Sequence, residues 1–467
     1  MLKNFVVSVV VPVYNTEKYL EETLQSVINQ TLGFEENIQV VLVNNASEDN
    51  AYIICEKYKE RYPDNIEYIE LKKNVGPSGA RNAGILYATG KYINFLDSDD
   101  KWEQTAFEKA VNFLEQHEEE IDIACCRVKH FDSTDKWHPL DYKFKGNYVL
   151  KVDEKPECFQ IFVNSILIKK QVVQNHLFNV EQINWEDFLY TANIILEKKQ
   201  YGIVSDAIFY YRKRSENDSL SQKGVKDKRF YLEELSRLKK CVCEMSIQKC
   251  GEIVPYVGYA LAYICHYRFT GWSANFLDES ERTIYYEILR DVLYSIDDKC
   301  ICEHPVIKKY VKIAMLSYKY GLEVKDGLGI KKDWILFRDL PVFTVKDSDI
   351  FSIWNIYFDG GKVLLEGRTS FDLPIDYEFI LEDEQGVVYR VQEFEWLGCV
   401  TRSILSKPYW RLKGCFACCE LKNRTQVNLK AFILMGNEKY PIKIEIFGNA
   451  LNSNVASVLD EKLQIKV

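Results

Sequence analysis

Three carboxylates close the stretch "YINFLDSDD", at Asp97, Asp99 and Asp100. Like charges this close make one another harder to ionise, so something positive belongs among them. A plain acidic turn that also caps a helix starting near Trp102 is the structural alternative. The residues before the acids, Tyr92, Ile93, Phe95 and Leu96, are apolar and β-favouring, so the acids sit where a buried strand gives way to a loop. Elsewhere no grouping suggests a Ser/His/Asp or Cys/His triad, a phosphate-cradling Walker loop or a dinucleotide G-x-G-x-x-G.

The elements that must position these acids follow from hydrophobic patterning. "VVSVVVPV" (6–13) is continuously apolar, as expected of a parallel strand covered on both faces. "NTEKYLEETLQSVINQT" has helical spacing through Tyr19, Leu20, Leu24, Val27 and Ile28, with Thr16 as its expected cap. Strand, helix and strand recur in "IQVVLVNNAS" (38–47), "EDNAYIICEKYKERY" and "IEYIEL" (66–71). A glycine-marked loop and helix, "GPSGARNAGILYATG" (76–90), then leads back to the strand before the acids. This alternation predicts an α/β domain with a mostly parallel sheet. Ligands of such sheets bind beyond the carboxyl ends of the strands, where Asn15, Asn44, Asn45 and the acids all fall.

The segment 165–221 supplies a strand, a polar loop, a helix opened by "WEDF", and a strand entering a basic, serine-bearing loop. From about 226 long helical patterns dominate. Beyond "KDGLGIKKDW" the chain alternates apolar and polar residues between Gly, Asn and Asp turns, as antiparallel strands of a β-sandwich do. The expected domains are therefore 1–225, α/β; 226–330, a helical linker; and 331–467, a C-terminal β-sandwich.

At 467 residues the chain is too long for one ordinary core. Its 47% apolar and 28% charged residues suit a folded, water-facing protein. A net charge of −9 provides no general basic field for nucleic acid. The 14 cysteines are scattered apart from "CVC" (241–243) and "CFACC" (415–419), and none of the 6 histidines stands at zinc-ligand spacing from a cysteine pair. Cys415, Cys418 and Cys419 are read as buried thiols in a reducing compartment. The apolar N-terminus is short, broken by Pro12, and lacks a cleavage site, so it is not read as a signal peptide. No uncharged apolar run approaches the roughly 20 residues of a membrane span. A cytoplasmic protein is expected, with peripheral contact at the inner face of the membrane left open.

Taken together and in order, "VSVVVPVYNTEKYLEETLQSVINQT", "VVLVNNASEDN", "NVGPSGARNAGILYATGKYINFLDSDD" and "WEDF" resemble the family 2 glycosyltransferases. The resemblance covers about the first 220 residues and implies a GT-A nucleotide-sugar fold. It implies that Asp97, Ser98 and Asp99 form a DxD motif holding Mn²⁺ or Mg²⁺ against the donor's diphosphate, with Asp99 the direct ligand. Asp97 would then contact the ribose or the metal's water shell. Neutralising the charge that develops on a leaving diphosphate is what a divalent ion on oxygen ligands does. Pro12, Val13 and Tyr14 match the segment that receives the nucleotide base, and Arg81 matches an arginine near base and phosphates. Asn44 and Asn45 replace the Asp-Asp of many relatives. An asparagine oxygen can still accept the uracil N3–H, while its NH₂ could serve cytosine.

"NWEDF" matches the motif that supplies the catalytic base. Asp187 is assigned as base and Glu186 as the group positioning the acceptor; neighbours on a helix point about 100° apart, so one alone faces the acceptor. The structural alternative is a pair of first-turn acids complementing the helix dipole. Arg212 and Arg214 would pair with diphosphate or with a phosphate-bearing acceptor. The implied function is inverting, metal-dependent transfer of a sugar from a nucleotide donor, UDP-linked, to a hydroxyl of a surface polysaccharide or teichoic-acid-like acceptor. CDP- or GDP-linked donors, and a catalytically silent carbohydrate-binding module, are the alternatives. The later helices and strands resemble, in architecture alone, teichoic-acid and capsule glycosyltransferases whose C-terminal modules mediate oligomerisation or polymer binding. A homo-oligomer through the C-terminal domain is accordingly open.

Overall fold

The computed structural model describes residues 4–467 except 215–224, 271–273, 275, 332–333, 346–349, 360–361, 370–376, 396–400, 405–406, 412, 421–423, 425, 447–455, 460–461 and 467. The first elements are β1 (Val7–Val13), α1 (Leu20–Ile28), α2 (Phe34–Asn37), β2 (Ile38–Asn44), α3 (Ala51–Arg61), β3 (Ile66–Glu70), α4 (Gly76–Ile85), β4 (Tyr92–Phe95), β5 (Lys101–Trp102) and α5 (Ala106–Gln116). They are followed by β6 (Ile123–Asp132), β7 (Lys136–Trp137), a 3-10 turn at Pro139–Lys143, β8 (Tyr148–Lys151), β9 (Ile166–Lys169), α6 (Lys170–Val173), α7 (Glu186–Lys198) and β10 (Gln200–Lys213).

These strands form one sheet in the order β3-β2-β1-β4-β9-β6-β10-β5. The first four run parallel, as the apolar runs predict, with Val7 opposite Ile38 and Tyr92, and Val13 opposite Asn44. That register brings the ends of β1, β2 and β4 to a common edge. β9 then runs antiparallel between β4 and β6, and β6 and β10 are again parallel. Val7, Val9, Val11, Val40, Leu42, Leu24, Val27 and Phe107 lie in the core with no exposed surface. Each such side chain contributes about 1.5–3 kcal/mol by leaving water.

Two local starts differ from the sequence expectation. α1 begins at Leu20, and the Thr16 hydroxyl donates to Ser98 Oγ at 2.9 Å instead of capping the helix. The helix expected near Trp102 begins at Ala106, because Lys101 and Trp102 are held as a short strand against Tyr210 and Phe209.

The chain divides into two compact units, one of residues 1–261 with 279–295, the other of 262–278 with 296–467. In the first, helix Glu234–Cys250 packs on α7. The second is β-rich. Strands Leu328–Lys331, Trp334–Phe337 and Leu340–Thr344 form a three-stranded antiparallel sheet, and a larger sheet is built around Gln426–Met435, Glu438–Ile446, Ile350–Asp359 and Lys362–Thr369. Among the described residues no helix is long and apolar enough to cross a membrane. Cys419 is buried, and burial pushes its thiol up to about 12; the side chain of Cys415 lies outside the described residues.

Candidate active site

Parallel pairing and the turn after Phe95 carry Asp97 to the edge shared by Val13 and Asn44. The edge is shaped by backbone that L-residues seldom adopt: Asn15, Ala46 and Trp185 have φ of 53°, 58° and 66°. Such conformations cost about 1–3 kcal/mol each and collect at functional sites. Trp185 is the residue immediately before α7, so its left-handed turn aims the first turn of that helix, Glu186 and Asp187, at the sheet edge.

Arg81 joins the two acidic groups. It enters from α4, is 2% exposed, and donates from Nη2 to Asp97 Oδ1 at 2.9 Å and from Nη1 to Asp187 Oδ1 at 2.8 Å and Glu186 Oε1 at 3.3 Å. The Phe178 ring lies 5.3 Å from its guanidinium carbon and stacks on Tyr190 at 3.8 Å. Burial works against the Arg81 charge, yet Asp187, Asp97 and Glu186 together hold it firmly protonated. The bonds expected toward nucleotide phosphate thus go to protein carboxylates.

The acids are not equivalent. Burial pushes Glu186 up to about 8, with Asp187 adding to the shift. Burial also pushes Asp187 up, to about 6, against the pull of Arg81. Arg81 pulls against both shifts, and the Asp187 Oδ2 also accepts the Val163 N–H at 3.4 Å. Asp99 is raised by burial and held back by Arg214, whose Nε and Nη2 donate to its Oδ2 at 2.9 and 2.6 Å. Asp100 is raised far more, by burial and by Asp99 and Asp97. One of its oxygens accepts the Arg212 backbone N–H at 2.8 Å, and the other is buried without a partner.

Arg212 itself is a brace. Its Nε donates to the Asp99 carbonyl at 2.7 Å, its other nitrogens bind Glu22 and Asp132, and it lies over the rings of Tyr19 and Phe131. The serine-bearing part of the same loop lies outside the described residues. Pro12 is half-buried, Val13 buried and Tyr14 38% exposed at the strand end. Asn44 and Asn45 are buried and order the loops around them. Asn44 Oδ1 accepts from Ser47 N–H at 3.0 Å, while Asn45 accepts from Val75 N–H at 2.9 Å and donates to Asn74 and Gly76.

The donor set suits a hard divalent cation, with carboxylates of Asp97 and Asp99 at one strand end and an orphaned oxygen on Asp100. Among the described residues no three His, Cys, Asp or Glu side chains form a metal-holding group. A bound diphosphate and water would have to complete the coordination shell, with Arg214 moving off Asp99. One contributor was not legible in sequence. Glu234, 2% exposed, accepts N–H bonds from Ile183 at 2.9 Å and Asn184 at 3.2 Å, pinning the approach to Trp185. No local signal links it to a segment fifty positions away.

A mostly parallel sheet with an arginine-bridged acid cluster at its carboxyl edge defines a GT-A-like domain. Residues 8–177 match the glycosyl transferase family 2 model. The chain is 35% identical over 372 residues to the minor teichoic acid biosynthesis protein GgaB of Bacillus subtilis strain 168, covering 79% of this chain and 41% of GgaB. It is 28% identical over 226 residues to the Staphylococcus aureus poly(ribitol-phosphate) beta-N-acetylglucosaminyltransferase TarS, covering 48% and 38% of the two chains. These sequence matches thus cover less than half the length of either relative. The fold matches the TarS crystal structure with a TM-score of 0.61 at 16% identity over 98% of this chain and 84% of TarS. It matches TarS 1–349 in complex with UDP-GlcNAc with a TM-score of 0.54 at 21% identity, over 71% of this chain and 96% of that one.

Proposed function

We propose that the chain is an inverting, divalent-metal-dependent glycosyltransferase that moves a sugar from a UDP-linked donor to a hydroxyl of a teichoic-acid-like polymer. The observation that carries this reading is Arg81, one buried cation tying Asp97 at the donor edge to Asp187 on α7. The UDP-GlcNAc complex of the similar TarS fold supports the donor, and the teichoic acid biosynthesis role of GgaB with the poly(ribitol-phosphate) acceptor of TarS supports the acceptor class.

In this reading Tyr14 stacks on the base while Asn44 and Asn45 shape its pocket. Asp99, with Asp97 nearby, would hold a divalent cation, and such an ion would supply neutralisation of the charge on a departing diphosphate. Asp187 takes the proton of the acceptor hydroxyl as its oxygen bonds to the anomeric carbon and the bond to UDP breaks on the opposite face. Arg81 holds the Asp187 carboxylate in place, and Glu186 orients the acceptor. Action in the cytoplasm beside the membrane, the 1–225, 226–330 and 331–467 division, and self-association through the C-terminal strands belong to the same proposal.

The test is UDP-sugar hydrolysis without acceptor, with Mn²⁺ and then with EDTA, beside calorimetric UDP binding. Hydrolysis is expected with Mn²⁺ and not with EDTA, and Asp99→Asn should lose metal-dependent binding while melting as the wild type does. Equal UDP-sugar binding by that variant with and without Mn²⁺ would defeat the metal assignment.

A further inference from the structure

A second cluster beside the acids has no part in the donor chemistry. The sheet register sets His130 of β6 opposite both Tyr211 of β10 and Lys136 of β7. Opposed residues share a face, and so do residues two apart on a strand. His130, Lys136, Tyr211 and Lys213 therefore lie on one side of the ribbon. The Lys213 ammonium stands 4.4 Å from the Tyr211 ring centre. Phe162 closes the group, 5.8 Å from Tyr211 and 4.7 Å from His138, centre to centre.

The cluster borders the reacting groups on two sides. Val163, next to Phe162, donates its N–H to Asp187, and Arg212, next to Lys213, donates its N–H to Asp100. Nearby carboxylates are already taken: Asp135 by Lys129 at 2.7 Å, Asp132 by Arg212 at 3.1 Å and Asp99 by Arg214. His130 is 5% exposed, and neither of its ring nitrogens has a partner. A buried polar group so placed is costly unless something bonds to it.

We propose that His130, Lys136, Tyr211, Lys213 and Phe162 bind a phosphodiester of the acceptor, a polyol-phosphate chain, one step from the hydroxyl presented to Asp187. The proposal rests on the glycosyltransferase reading above. A chain of net charge −9 repels a polyanion, so a phosphate-bearing acceptor needs a local cationic face, whereas a neutral polysaccharide would not. The aromatic rings offer surface to the C–H groups of the polyol between phosphates. Donor diphosphate is the other source of the same chemistry, and the UDP measurements distinguish the two.

The test is calorimetric binding of a synthetic ribitol-phosphate tetramer, and separately of UDP, to the full chain and to Lys136→Ala and Lys213→Ala. Lys136 is exposed, so its variant reports even if Lys213→Ala folds poorly. Each variant should weaken tetramer binding about tenfold, the effect of losing one charge-assisted contact, with UDP affinity held. Unchanged tetramer binding in both variants overturns the inference. Loss of UDP binding in its place gives the cluster to the donor diphosphate and overturns it equally. A wild type that binds UDP but no tetramer removes this inference and leaves the glycosyltransferase reading intact; one that neither binds UDP nor hydrolyses a UDP-sugar removes the reading beneath it.

Discussion

Asp187 and Glu186 share one guanidinium, yet their positions separate their roles. Asp187 is bonded at both oxygens, to Arg81 and to the Val163 N–H, so its carboxylate is fixed in direction. Asp187→Asn should lower kcat about 10²–10⁴-fold, the usual cost of removing a positioned general base, with UDP affinity little altered. Because the base acts when ionised, wild-type kcat should rise with pH through about 6, and the variant should lack that limb. Steady-state rates across pH, with Glu186→Gln alongside, check both points. A larger loss in Glu186→Gln reverses the two roles.

At the scale of elements, α4 places Arg81 by lying very close to the sheet. A Cβ built on Gly84 would stand 2.4 Å from Val10 Cγ1 and 3.1 Å from Val43 Cγ2. Gly84→Ala must push the helix off β1 and β2 and draw Arg81 from its carboxylates. We expect a loss of about 1–3 kcal/mol, typical of overpacking, read from urea midpoints, together with a fall in kcat. β6 supplies a different probe. Burial first, then Lys213 and Lys136, push His130 down to about 4 from 6.5. Tyr211 and His138 also face it, and His138 is itself pushed down by burial and its cationic neighbours. Between those two pH values the unfolded chain takes up a proton that the folded chain refuses. Stability is full above 6.5 and falls as pH drops toward 4. His130→Phe should show a smaller drop in melting temperature between about pH 7 and about pH 5 than wild type, with His138 retaining part of the slope.

For the whole molecule, the second unit ties its helices to its first strands. Arg338 lies 4.0 Å from the Tyr320 ring and Lys309 lies 5.2 Å from Phe343, while Ile335 and Phe337 have no exposed surface. Cutting at 325 removes the strand Leu340–Thr344 that packs on helices Asp298–Cys302 and Lys309–Tyr320. A fragment of residues 1–345 should therefore melt at a higher temperature than one of 1–325. Equal melting temperatures would mean that the helices need no strands and that the boundary near 330 is a true domain edge.

The α/β order of the first half, the parallel strands and the β-rich C-terminal region were legible because each rests on local patterning. Continuous apolar runs need cover on both faces, and alternation needs one wet face. The acids at strand ends were legible for the same reason, since strand ends in a parallel sheet share an edge. What the chain could not show by itself was which charges meet. Arg81 lies far in sequence from Asp187, as Arg214 does from Asp99, and electrostatic partners follow distance through space. Only the folded register brought them within hydrogen-bonding reach, turned Arg212 into a brace, and left His130 buried between two lysines.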